Sequence, residues 1–486
     1  MRDACGLILF LIAALLAAAC GDADPTHTDD GRLIVRYWEH WNGFEHDAMQ
    51  AVVDDYNASQ DEHYVQMLRV SQMEQKFLLA TAGGNPPDLV GLWDRNLASF
   101  AEKGAITPLS GYLDEAGIGE DHFLPVVWEL LQHRGFAWAV PTTPGGIGLH
   151  WNRRLFAEAG LDPDRPPQTL DELDAMAETL TVVDVERLGQ TQRVRYVELT
   201  DDEKSTKQFD IVQLGFSPME PNWFKDSWGY WFGGSLDDGA GRITADSPEN
   251  VAALDWVGSY TRKFGVSNMK KFSASFGNSF ASPQNPFMDE RIAMELQGVW
   301  MYNFIDRFAP QLDWSAAAFP SVDPERLGDV TYLECDVLSI PTGAKNPDAA
   351  FAFMRYMMGQ GPMEKLCLGQ RKFSPLAETS AGFVARHPNP KIEVFMNLAR
   401  GAGARISPKL PVWQEYKTEM AVAADRVFGG VASAEEAAAY VQERMQWKLD
   451  RVQRRWDRTG AQRLEAWAAQ QSQASGRSQN PASRLP

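Results

Sequence analysis

The sequence predicts an α/β fold with more than one core, and three observations predict it. Residues 33–38, 64–70 and 88–92 are short apolar or alternating runs of the kind that become buried strands. Between them Met49, Val52, Val53 and Tyr56 fall at i, i+3, i+4 and i+7 of one helix, and Phe77, Leu78 and Thr81 give a second helix an inward stripe. Strand, helix, strand, helix, strand is the opening of a doubly wound sheet, and a chain of 486 residues exceeds one ordinary hydrophobic core.

The first strand runs directly into Glu39, His40, Trp41, Asn42 and Gly43. Ser71 followed by Glu74 has the spacing of a capping box for the second helix, which Gly83 and Gly84 stop. Pro86 and Pro87 forbid helix on either side, so residues 88–92 enter as a parallel strand. At its carboxyl end, where open α/β sheets place their ligands, stand Trp93 and Asp94. An aromatic face covers C–H groups and a carboxylate accepts hydroxyl hydrogens, which together suit a polyhydroxylated ligand.

Residues 137–141 make a short strand closed by proline, and 142–148, TTPGGIG, read as a crossing between lobes because such residues absorb backbone rotation. Asn152 caps the helix that follows. Thr169 and Glu172 make another capping box, opening a helix that faces inward at Leu170, Leu173, Ala177 and Leu180. Residues 181–245 are less regular and rich in aromatics, among them Trp223, Phe224, Trp228 and Trp231. Ser247 and Pro248 take the cap and first positions of a helix that Gly265 ends. Residues 292–296 read as a strand, followed by Trp300 and an amphipathic helix with Met301, Phe304, Ile305 and Phe308. Residues 337–340 lead into a return crossing, Asn346 and Pro347 start a helix striped by Ala350, Phe353, Met354 and Met357, and helical patterns continue to about Trp467.

Composition narrows the function. A hydrophobic content of 44% excludes a disordered chain, and a net charge of −19 repels phosphate backbones, which argues against a nucleic-acid partner. Residues 6–19 form an apolar run too short for a transmembrane helix. The following Leu15-Leu16-Ala17-Ala18-Ala19-Cys20 resembles a bacterial lipobox, so residues 1–19 are expected to be a lipoprotein signal peptide, Cys20 the lipidated residue, and 20–30 a polar tether. Cys335 and Cys367 remain, either paired or as two buried free thiols. The sequence holds no HExxH, GxxxxGK[ST] or GxSxG motif, and no metal or other cofactor is expected. Arg444, Lys448, Arg451, Arg454 and Arg455 form one helical charge run, the pattern of a solvated face. Residues 471–486 carry too little apolar surface to order themselves.

Five blocks, in order, resemble the family 1 extracellular solute-binding proteins, the lipid-anchored sugar receptors of bacterial ABC importers related to maltose-binding protein. They are AGGNPPDLV at 82–90, WAVPTTPGGIGLHWNRRLFAEAGLD at 138–162, PPQTLDEL at 166–173, FMDERIAMELQGVW at 287–300 and IPTGAKNPDAAFAFM at 340–354. His150 and Trp151 depart from the family pattern before Asn152, and the stretch 181–232 is long.

The resemblance implies a periplasmic-binding-protein-like fold, two α/β lobes joined by hinge crossings. Residues 31–141 and 287–340 would form the N-lobe and 142–286 and 341–470 the C-lobe, with ligand held between them. It also implies an exported, membrane-anchored monomer that binds carbohydrate, hands it to an ABC permease and has no enzymatic activity. The candidate ligand-binding residues are Trp38, Glu39, His40, Trp41, Trp93, Asp94, Trp228, Trp231, Glu295, Trp300, Asp336 and Arg371. The rivals are a receptor of the same fold for a polyol, polyamine or peptide, and a hydrolase or lyase in which Glu39, Asp94 and Glu295 would supply acid and nucleophile.

Overall fold

The computed structural model describes residues 26–276 and 280–477. The signal peptide, Cys20 and most of the tether therefore lie outside the described residues. Three parallel strands open the fold: β1 (Leu33–Glu39) lies between β2 (His63–Arg69) and β3 (Leu89–Trp93), with Leu33 opposite His63 and Tyr37 opposite Leu89. Helix Phe44–Ser59 buries the expected stripe of Met49, Val52, Val53 and Tyr56. The second helix begins at Met73, with Gln72 in the left-handed region at its N-cap, so Ser71 is not its cap. Lys76 reaches Ser71 Oγ at 3.2 Å, and Glu74 accepts from Asn96 instead of closing a box.

A short hairpin of β4 (Gln132–His133) and β5 (Phe136–Ala137) precedes the central strand β6 (Val140–Asn152). The glycines and Pro144 of 142–148 thus lie inside a strand of 13 residues rather than in a loop. Antiparallel pairing with two neighbours overrides their local preference. β10 (Met294–Gly298) and β11 (Trp314–Ala317) pair with its second half and β12 (Thr331–Ser339) with its first. β12 also pairs antiparallel with β3, giving the order β10-β6-β12-β3-β1-β2, and β13 (Ala404–Ile406) pairs with β12. A separate sheet of β7 (Val182–Arg187), β8 (Gln190–Arg195) and β9 (Phe209–Gln213) occupies the stretch expected to be irregular.

The caps at Asn152, Thr169 and Ser247 form, each side chain accepting a backbone N–H three residues on. Asn346 does not cap. Its amide donates to Ile34 O at 3.2 Å and ties helix Pro347–Met357 to β1.

Two large hydrophobic cores result. The first gathers β1, β2, β3 and their helices, and the second gathers Ile147, Leu149 and Trp151 with helices 170–180, 248–264 and 413–428. Residues 349–399, expected in the C-lobe, belong to the first core, because Phe353 packs on Tyr37 and Tyr56 at ring separations of 6.1 and 5.2 Å. Residues 292–296 belong to the second, since β10 pairs with the second half of β6.

β6 and β12 run from one core to the other. Helix Ala434–Arg477 does so as well, burying Val441, Met445 and Leu449 in the second core and Trp467 in the first, where its ring meets Trp138 edge-on at 4.7 Å. This helix continues seven residues into the stretch expected to be unordered, because alanine, glutamine and arginine prolong a helix readily. Arg444, Arg451, Arg454 and Arg455 are exposed on it. Cys335 and Cys367 are buried free thiols, and no helix among the described residues is long and apolar enough to cross a membrane.

Candidate functional site

A cleft of about 760 Å³ opens where β6 and β12 leave the first core for the second, and both cores contribute to its walls. On its floor Glu334 of β12 faces Gly145 of β6 and Cys335 faces Pro144. The register slips between Cys335 and Val337, so three successive residues, Glu334, Cys335 and Asp336, all reach the cleft. The glycines make room for an indole. A Cβ on Gly145 would stand 2.6 Å from Cζ3 of Trp300, and one on Gly298 2.3 Å from the same ring.

The floor is densely charged. Lys372 Nζ lies 2.9 Å from Asp336 Oδ2 and 3.0 Å from Glu45 Oε1. His40 Nε2 lies 3.6 Å from Asp336 Oδ1, and its Nδ1 2.8 Å from Glu39 Oε1. Burial alone would raise the Asp336 carboxyl, but Lys372 and His40 outweigh it and hold the group well below the usual range. Burial would lower His40, yet Asp336 and Glu39 carry it up to about 10, so the ring is a cation at neutral pH. Arg95 Nη1 lies 2.9 Å from Glu334 Oε1 and Lys417 Nζ 3.7 Å from it, and against the effect of burial these cations hold Glu334 low. Lys417 belongs to a helix of the second core, as does Gln414, whose amide donates to Asn96 Oδ1 at 2.6 Å. The two halves are thereby bridged at the cleft.

One wall is aromatic. Trp223, which is 40% exposed, meets Phe280 at 4.3 Å, Phe280 meets Phe304 at 4.7 Å, and Trp300 lies 6.4 Å from both Trp223 and Phe224.

The candidate residues divide accordingly. His40, Trp41, Trp93, Trp300 and Asp336 line the cleft. Trp93 does so with company, because the Arg95 guanidinium lies 4.5 Å and the His40 ring 4.2 Å from its centroids. Trp38 packs on the first core away from the opening. Glu39 lies fully buried beneath it, accepting His40 N at 2.7 Å and the Tyr37 hydroxyl, in space left by the missing side chain of Gly91. Asp94 is a structural acceptor, taking Cys335 N at 2.7 Å, with its carboxyl pushed to about 7 by burial and Glu334.

Trp228 and Trp231 are core residues, 2% and 0% exposed; Trp228 packs on Trp256 at 5.0 Å and donates to Pro218 O. Glu295 is buried on β10 opposite His150, held protonated up to about 8 by burial and Glu220. Arg371 turns away, pairing with Asp306 at 2.7 Å. A local aromatic cluster and an acid within a strand proved to be packing features, as side chains on regular elements facing a core must be.

Phe44, Glu45, Arg95, Trp223, Asp226, Lys372 and Lys417 also line the cleft, beyond the candidate residues named from the sequence. Two of these adjoin named candidates, Arg95 beside Asp94 and Lys372 beside Arg371. The others come from loops and helix ends far apart in sequence, with no local signal that they meet.

The family model described as bacterial extracellular solute-binding protein matches residues 45–364. The maltotriose-binding protein of Pyrococcus abyssi is 20% identical over 67% of this chain, and the match spans 62% of that protein's length. The solved structure of CpMnBP1 with mannobiose bound superposes with a TM-score of 0.71 at 25% identity, covering 84% of this chain and 98% of that one. The sugar-binding protein MalE of Xanthomonas citri shares the fold, with a TM-score of 0.68 at 18% identity over 87% of this chain and 98% of its own.

Proposed function

The chain belongs to the bacterial extracellular solute-binding protein family, and from that premise we propose that it captures a carbohydrate, an oligosaccharide or sugar derivative, for an ABC permease. The observation that carries this reading is the pairing of an aromatic wall with a floor of ion-paired side chains. Trp223 and Trp300 offer faces for the C–H side of a sugar ring, while the ionised Glu334 and Asp336 offer acceptors, and their partners Arg95, Lys417, Lys372 and His40 offer donors, for hydroxyls. The floor cations already have partners, which suits an uncharged ligand. A volume of about 760 Å³ admits more than one sugar unit. The names of the maltotriose-binding and mannobiose-bound relatives support the same class.

In this reading the two cores are the two lobes, with residues 349–399 on the N-lobe side. Ligand touches both lobes only when they approach, so binding shifts the population toward the closed form that a permease recognises. Export and lipidation at Cys20 would hold the receptor at the cell membrane, as a monomer. The reading includes no enzymatic reaction, as the solute-binding family implies. Isothermal titration with mannobiose, mannotriose and maltotriose tests the proposal. Saturable binding at micromolar concentrations or tighter, about −8 kcal/mol or better, with the sugar recovered intact, supports it. Slow heat with shortened products would favour a hydrolase, and binding of spermidine but none of the sugars would favour a cationic solute.

A further inference from the structure

The carboxylates of the cleft fall into two groups. Glu45, Glu334 and Asp336 each have a cation within 3.0 Å. Asp226 does not. It lines the same cleft and is only 3% exposed, yet among the described residues it forms no ion pair, and its Oδ2 is shut away from solvent without a hydrogen-bond donor.

The cations that could have served it are engaged elsewhere. Lys225, its neighbour in sequence, reaches Asp425 at 2.7 Å, and Lys417 and Arg95 are drawn to Glu334. Burial accordingly pushes the Asp226 carboxyl above the usual range, with Lys417 acting against that and Glu334 with it. A buried acceptor without a donor is costly unless something supplies one. In a cleft wall a ligand can supply it.

The surroundings define the donor. Asp226, Glu334, Arg95 and Lys417 act on one another electrostatically as two carboxylates and two cations, a cluster without net charge. An ammonium group would unbalance it, whereas a hydroxyl would not. Asp226 also shares a segment with Trp223 and Phe224, so three positions within four residues carry the stacking faces and the acceptor together. Resting on the carbohydrate reading above, we propose that Asp226 determines specificity: its carboxylate accepts hydroxyl hydrogens of a neutral saccharide whose ring lies against the Trp223–Trp300 wall.

The test is calorimetric, on the full chain, with mannobiose, mannotriose and maltotriose as probes, followed by monodeoxy derivatives of whichever binds. Asp226→Asn should weaken binding by about tenfold or more, the worth of a hydrogen bond to a charged group. The ligand-free Tm should hold or rise, since an unpartnered buried charge has been removed. Asp226→Ser should lose as much, so a folding defect peculiar to one variant does not decide the matter. One monodeoxy sugar should bind the wild type about tenfold more weakly and bind Asp226→Asn no worse than the parent sugar does. Affinity kept within about twofold in both variants would overturn the assignment of Asp226 while leaving the carbohydrate reading intact, as would equal losses for every monodeoxy sugar in wild type and variant. A wild type that binds none of the three sugars overturns the carbohydrate reading and this inference with it.

Discussion

Lys372 grips Asp336 from within, its Nζ 2.9 Å from Oδ2 where neither side chain has much access to water. Removing one partner of such a pair leaves the other as an unanswered charge. Lys372→Met should therefore lower stability by about 3 kcal/mol at neutral pH, measured by urea unfolding. Asp336 is held below its ordinary range, so its contribution is present above about pH 4 and lost as the pH falls further. That acid limb should be shallower in the variant.

Glu220 and Glu295 have the opposite sign. Burial pushes their carboxyls to about 7 and about 8, with Glu220 adding to the effect on Glu295. The folded chain then keeps protons that the unfolded chain releases near pH 4.3 or so, and stability falls as the pH rises from there toward about 8. Glu295→Gln should lessen that decline, with a Tm above wild type at about pH 8 and a smaller difference at about pH 5 in a calorimetric series.

Gly145 and Trp300 give a test of the aromatic wall. Gly145→Ala places a methyl where the indole lies and should displace the ring, weakening sugar binding by about tenfold, as should Trp300→Ala. Trp231→Ala should instead cost about 3–5 kcal/mol of stability, since its ring is wholly buried. Thermal melts beside titrations separate the two outcomes.

Cys20→Ser should release the protein from membranes on fractionation of expressing cells; unchanged partition into the membrane pellet would refute lipidation.

Periodicity disclosed the helices wherever one face had to be buried. Met49, Val52, Val53 and Tyr56 line up inward, as do Leu170, Leu173, Ala177 and Leu180, because each helix covers a single core. The sheet of β7, β8 and β9 escaped notice because β8 is largely exposed, leaving no apolar alternation to find. β6 escaped for the opposite reason: buried throughout, it tolerates Pro144 and consecutive glycines that would mark a loop elsewhere. The site was half legible. His40, Trp93 and Asp336 follow from strand ends and a crossing strand, whereas Lys372 and Lys417 reach the cleft only through packing between distant segments.

Helix Ala434–Arg477 passes between the cores as a single rod, seated in one through Leu449 and in the other through Trp467. A third brace beside two strands restricts how far the halves can part. A receptor stiffened in this way keeps its receptive geometry common rather than rare, so little of the guest's binding strength is diverted into recruiting it.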